Sequence, residues 1–202
     1  MKSRHIALTL ALTSLISFGS VHAADAEAGK QKTIVCAACH GADGNSVNPI
    51  WPSLAGQHAS YVAKQLREFK NGKRVDPTMI GMVAALSEED MDNIAAYFET
   101  QQSKPATFDA ALLEQGQDIY RGGITETSVA ACMGCHGPEG EGNGPAKYPS
   151  LKGQHSQYVV TQLKAFKSGS RANDEGKMMR NVANRMSEAE MQAVAAYIAG
   201  MK

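Results

Sequence analysis

Cys36-Ala37-Ala38-Cys39-His40 and Cys132-Met133-Gly134-Cys135-His136 decide how this chain is read. All four of its cysteines lie in these two pentapeptides, so none is left for another purpose. The spacing Cys-x-x-Cys-His is that of a c-type haem attachment site. Two thiols one helical turn apart add across the two vinyl groups of one haem. The histidine directly after the second thiol then lies under the iron as its fifth ligand. A thioredoxin-like pair would need a preceding strand and a βαβ setting, and the pattern offers neither. A four-cysteine zinc site would leave both histidines without a role. Disulfides within each pair would ignore the histidines too. Cys36, Cys39, Cys132 and Cys135 are therefore the expected thioether anchors of two covalent haem c groups, with His40 and His136 as iron ligands.

The first residues point to export. Lys2 and Arg4 form a short positive region, residues 6–18 are an apolar run softened by Thr and Ser, and Val21-His22-Ala23 supplies a small-x-small cleavage pattern. About a dozen apolar residues are too few to span a bilayer. A signal peptide over residues 1–23 is expected, with a mature chain from Ala24 in the exported compartment where haem is attached. The whole chain balances 20 basic against 20 acidic residues; without Lys2 and Arg4 the balance is 18 against 20, a net of −2. No basic stripe of the kind that binds nucleic acid is present. Two domains of roughly 85 residues are each too small for a generous core, and a buried haem supplies the missing apolar mass.

The repetition extends beyond the pentapeptides. Pro52-Ser-Leu54-Ala-Gly56-Gln57-His58 matches Pro149-Ser-Leu151-Lys-Gly153-Gln154-His155 at an offset of 97. Tyr61, Gln65, Leu66, Phe69, Lys70, Gly72 and Arg74 recur as Tyr158, Gln162, Leu163, Phe166, Lys167, Gly169 and Arg171. After a three-residue insertion the offset becomes 100, and Met79, Ser87, Met91, Ala95 and Tyr97 recur as Met179, Ser187, Met191, Ala195 and Tyr197. One domain has been duplicated.

Each copy reads as helices with almost no strand, an all-α fold. Residues 25–35 form an Ala- and Lys-rich helix leading into the first site, and residues 58–71 carry Val62, Leu66 and Phe69 on one apolar face. Ser87 with Asp90 approximates a capping box and Ser187 with Glu190 is one. Residues 101–108 are the linker, and a helix over 109–121 opens the second domain, ended by Gly122-Gly123. Gly29 and Gly116 fall inside helices, where glycine costs about 1 kcal/mol against alanine. Close packing of each against the C-terminal helix of its own copy is the expected reason.

Each iron needs a partner opposite its histidine: methionine, histidine or nothing. Met91 and Met191 sit on apolar helix faces and read as core, while Met133 and Met186 read as packing residues. Met79 and Met82 remain in the first copy, Met178 and Met179 in the second. Counting back seven from the aligned Leu86 and Met186 selects Met79 and Met179. His58 and His155 also recur, but each follows Gly-Gln at the start of an expected helix and needs no iron there. Gly140-Glu-Gly142-Asn-Gly144 has no strand before it and no helix on it, so it reads as a loop over the haem edge rather than a nucleotide loop. Arg74 and Arg171 are candidates to neutralise haem propionates; the plainer alternative is two solvated arginines at helix ends.

Each half resembles a class I cytochrome c: attachment first, then a proline 12 or 13 residues on (Pro52, Pro149), then a methionine some 40 residues after the histidine. The tandem, with Pro-x-Leu-x-Gly-Gln in each copy and Arg-Gly-Gly before the second site, resembles the dihaem cytochrome c4 family over essentially the whole mature chain. The resemblance implies two class I cytochrome c-like domains, over 24–100 and 109–202, and His/Met ligation at His40/Met79 and His136/Met179. It implies that the proline carbonyl accepts the proximal histidine's Nδ1 hydrogen. It also implies a monomeric periplasmic electron carrier of a respiratory chain, compatible with peripheral membrane association. Its partners would be redox proteins: a respiratory oxidase or an upstream quinol-oxidising complex. The first copy is shorter between Arg74 and Met79, a departure that bears on how that haem edge is covered. A dihaem peroxidase or sulfur-compound oxidase would need an iron with an open site, against which the matched methionines argue. A haem-based sensor would need an output domain, and none is expected.

Overall fold

Asp25 starts the first helix because its backbone is extended and its carboxylate accepts from the N–H groups of Glu27 (2.9 Å) and Ala28 (3.1 Å). Two donors that a helix N-terminus leaves open are thereby satisfied. The computed structural model describes residues 23–201, so the expected leader lies outside the described residues apart from Ala23. Helix α1 (Ala26–Lys32) tightens into a 3-10 turn, Thr33–Val35, before the first pentapeptide. Then come α2 (Ala37–His40), α3 (Ala59–Lys70), α4 (Pro77–Val83) and α5 (Glu88–Glu99). The second copy repeats the order: a 3-10 turn at Ala110–Leu112, α6 (Leu113–Gly122), α7 (Met133–His136) and α8 (Ser156–Ser168). A turn at Glu175–Lys177, α9 (Met178–Ala183) and α10 (Glu188–Gly200) complete it. Two isolated antiparallel bridges, Ile124 with Val129 and Asn143 with Tyr148, are the only strand-like pairings among the described residues. The fold is all-α.

Each copy has its own core. In the first, Val62, Leu66 and Phe69 of α3 meet Met91, Ile94 and Phe98 of α5. In the second, Val159, Leu163 and Phe166 of α8 meet Met191, Val194 and Ile198 of α10. Fully burying each such side chain is worth about 1.5–3 kcal/mol. Both Ser-led helix starts close as reciprocal capping boxes, Ser87 with Asp90 as well as Ser187 with Glu190.

The two helix-interior glycines are required by contact. A Cβ on Gly29 would lie 1.9 Å from the Asn93 carbonyl oxygen of α5, and one on Gly116 would lie 2.1 Å from that of Ala193 on α10. α1 crosses α5, and α6 crosses α10, backbone against backbone.

Between the copies most contacts have a mirror. Gln57 pairs with the backbone of Ser150, donating from Nε2 to its carbonyl (2.8 Å) and accepting from its N–H at Oε1 (2.8 Å). Gln154 makes the same pair with Ser53 at 2.9 Å and 2.9 Å. The ring Nε2 of His58 meets the Glu141 carbonyl, and that of His155 the Ser46 carbonyl, each at 2.8 Å. Arg74 donates to Gln65, Tyr158 and Gln162; Arg171 donates to Gln162, Tyr61 and Gln65. Reciprocity of this kind is the mark of a twofold arrangement. Neither arginine is the solvated helix-end residue that the sequence allowed: Arg171 is buried, and each guanidinium lies over its own copy's ring, Phe69 or Phe166.

One part of the seam has no mirror. Asn173, from the inserted stretch of the second copy, donates to Gln65 (2.9 Å) and Glu68 (2.6 Å). Lys64 reaches both Glu68 (2.7 Å) and the Asn173 carbonyl (3.0 Å). Burial pushes the Glu68 carboxyl up, but Lys64, Asn173 and Lys73 together hold it below its ordinary value.

Candidate haem sites

Each pentapeptide is one turn of helix, closed by a backbone bond from the histidine N–H to the first cysteine's carbonyl at 2.9 Å, in both copies. That turn sets both thiols and the imidazole on neighbouring positions. None of the four cysteines is joined to another in a disulfide. Among the described residues no three His, Cys, Asp or Glu side chains are grouped to hold a metal ion, which leaves a four-cysteine zinc site without a geometry. Burial, with Cys39 adding to it, raises the Cys36 thiol above its ordinary value, and burial pushes Cys132 up to about 11.

His40 and His136 are buried. Nδ1 of His40 lies 2.8 Å from the Pro52 carbonyl, and Nδ1 of His136 lies 3.0 Å from the Pro149 carbonyl. A carbonyl can only accept, so Nδ1 carries the hydrogen and Nε2 keeps its lone pair. Burial lowers the pKa of both rings, partly offset by the proline carbonyl, so each stays neutral near pH 7. A neutral imidazole whose other nitrogen is anchored by a backbone acceptor has the form of an axial ligand.

The methionines fall at matched places. Met79 is half-buried on α4 and packs against the first core, as Cys36, Leu54 and Leu86 also do. Met179 is half-buried on α9 and packs against the second, as Cys132, Leu151 and Val182 also do. Their rivals Met82 and Met178 are exposed by 40% and 38%. Imidazole nitrogen, thioether sulfur and paired thiols, set against two apolar clusters, fit a covalently held haem in each copy. His58 and His155 are committed to carbonyls of the opposite copy instead.

Sequence reasoning registered Gln57, Gln154, Tyr61 and Tyr158 as repeats but gave them no task, and it missed Glu68 and Asn173. The signal was recurrence itself: Gly-Gln-His appears in both copies at positions that no helical face or haem contact demands.

Two tandem c-type cytochrome domains are what this fold and these sites define. The family model Cytochrome c matches residues 26–102 and 114–202. Cytochrome c4 of Azotobacter vinelandii is 44% identical, covering 96% of this chain and 97% of that one. A thiosulfate dehydrogenase electron acceptor of Stutzerimonas stutzeri is 38% identical over 100% of this chain and 97% of its own length. Among solved structures, reduced recombinant cytochrome c4 from Pseudomonas stutzeri superposes with a TM-score of 0.86 at 43% identity, covering 89% of this chain and 100% of that one. The chain belongs to the dihaem cytochrome c4 family. It is a cytochrome that carries electrons on two covalently bound haem c groups.

Proposed function

We propose that the chain shuttles electrons in a periplasmic respiratory chain, delivering them to a terminal oxidase, and performs no bond-making chemistry itself. In this reading residues 1–23 are a cleaved export signal, and 24–100 and 109–202 are the two haem domains, joined by 101–108. Cys36 and Cys39 anchor one haem and Cys132 and Cys135 the other, with His40/Met79 and His136/Met179 as axial pairs. The observation that carries it is the matched pair of neutral, carbonyl-anchored histidines, each with a half-buried methionine on the same core. When bound, haem supplies a one-electron Fe(III)/Fe(II) couple.

The residues set the terms of that couple. The proline carbonyls fix each ring's tautomer and orientation. A thioether favours the reduced state relative to a second imidazole, and the packed core around each site leaves little to rearrange on electron gain. Among the described residues no helix is long and apolar enough to cross a membrane. The relative named as an electron acceptor of thiosulfate dehydrogenase favours a second reading of the upstream partner, a dehydrogenase of sulfur compounds in place of a quinol-oxidising complex. Stopped-flow mixing with each donor distinguishes them.

Replacing Met79 or Met179 by Ala should each abolish about half of the weak near-red absorption of Fe(III)–thioether bonding, with the domain still folded on its thioethers and histidine. Loss of that band with Met82→Ala or Met178→Ala instead would reassign the ligands.

A further inference from the structure

We infer that Gln57 and Gln154 are positioning residues that tune, across the domain seam, the carbonyl which orients the other domain's proximal histidine. The inference rests on His40 and His136 being the axial ligands. The Pro52 carbonyl and the Ser53 N–H belong to one peptide unit. The carbonyl accepts from His40 Nδ1 at 2.8 Å, while the N–H donates to Gln154 Oε1 of the other domain at 2.9 Å. The mirror unit joins Pro149 to Ser150: its carbonyl accepts from His136 Nδ1 at 3.0 Å and its N–H donates to Gln57 Oε1 at 2.8 Å.

The amide orientations follow from their partners. Each Oε1 faces two N–H donors, the serine opposite and its own following histidine at 3.1 Å, while each Nε2 faces a serine carbonyl. A flipped amide would set donor against donor and acceptor against acceptor at all of these contacts. Gln57, Gln154 and Ser53 are buried, so water competes little and the low dielectric strengthens the chain of bonds. An acceptor on a peptide N–H draws charge onto that peptide's oxygen. A more negative Pro52 oxygen pulls harder on the Nδ1 hydrogen and makes His40 a stronger electron donor. That stabilises Fe(III) and lowers the potential of the haem in the opposite domain. A glutamine that merely stapled the domains together would have no such directional effect.

The test uses full-length mature dihaem protein carrying Gln154→Met, Gln154→Glu or Gln57→Met, titrated spectroelectrochemically with each haem assigned by NMR. Gln154→Met keeps the volume and removes the strong acceptor. It should shift the haem held at Cys36 and Cys39 toward Fe(II) about threefold, which is ~30 mV at 59 mV per tenfold. The haem at Cys132 and Cys135 should stay nearly unmoved. Gln57→Met should do the reverse. Gln154→Glu keeps an acceptor for the Ser53 N–H in either protonation state and should not raise the potential. The His40 Nδ1 proton resonance, moving upfield only in Gln154→Met, is the second readout. Equal shifts of both haems, a shift confined to the mutated domain's own haem, or no shift would overturn the inference. The NMR spectrum of the unmodified reduced protein first shows whether the His40 and His136 ring protons carry the large upfield shift of imidazoles bound over a haem. Absence of that shift contradicts the axial-ligand reading, whereas shifted rings with unmoved potentials overturn the cross-domain inference alone.

Discussion

A tyrosine satisfies the backbone just after the proximal histidine in both copies, but it comes from a different helix in each. In the first copy Tyr97 of α5 donates to the Ala42 carbonyl at 2.9 Å. In the second, Tyr120 of α6 donates to the Gly137 carbonyl at 2.7 Å, while Tyr197, the repeat of Tyr97, instead accepts from Arg121 at 3.2 Å. The seam between the domains behaves differently: Gln57 and Gln154, His58 and His155, Arg74 and Arg171 recur residue for residue. Inside one domain, any side chain that reaches the carbonyl will serve. At a reciprocal seam each residue meets the same patch twice, so exchanging one member spoils the match with its mirror.

The backbone crossings are shared by both copies and should yield the largest effects. Gly29→Ala and Gly116→Ala each force a Cβ to within 1.9 Å or 2.1 Å of a carbonyl oxygen in the facing helix. Backbone cannot swing aside as a side chain can, so each change should destabilise its own domain by about 3 kcal/mol, the upper end of the usual cost of overpacking. Chemical unfolding followed through the NMR resonances of each haem would show it, and equal loss from both domains would mean that they unfold as one unit.

The unmirrored part of the seam should come next. Glu68→Ala leaves Lys64 and Asn173 without their shared acceptor, an expected loss of about 1–3 kcal/mol. Because Glu68 is held below its ordinary carboxyl value in the folded chain, its contribution is present above the unfolded value and is lost as pH falls through the folded one. The unmodified protein should therefore lose more stability than Glu68→Ala when urea titrations are compared between neutral and acidic pH. Identical pH slopes would remove Glu68 from the account. The tyrosine exchange should be smallest: Tyr120→Phe should cost the second domain about 1 kcal/mol, and Tyr97→Phe the first a similar amount. Tyr197→Phe, which breaks only an exposed contact, should be nearly silent in the same assay.

Much of this was legible beforehand, and the rest was hidden for identifiable reasons. The pentapeptides, the apolar face of α3, the capped starts of α5 and α10, and the packing role of Gly29 and Gly116 all depend on neighbours close in sequence or on residue size alone. The pairing of Met79 with Met179 was visible only because duplication supplied an alignment within the chain. Gln65 and Glu68 lie buried on α3 away from the apolar face formed by Val62, Leu66 and Phe69, because the surface they face belongs to another domain. Asn173 sits in an insertion and so had no counterpart to flag it. Arg74 and Arg171 look like ordinary helix-end cations until tyrosines from across the seam are set beside them.

The central claim is a pair of closed, six-coordinate haems that move electrons and do nothing else. An optical redox titration of the native mature protein, with carbon monoxide offered to the reduced form and hydrogen peroxide to the oxidised form, tests it most directly. Two haems per chain should titrate as one-electron steps, with slow or no carbon monoxide binding and no peroxide turnover while the near-red band is intact. Prompt carbon monoxide binding by such protein, or sustained peroxide turnover, would contradict the account.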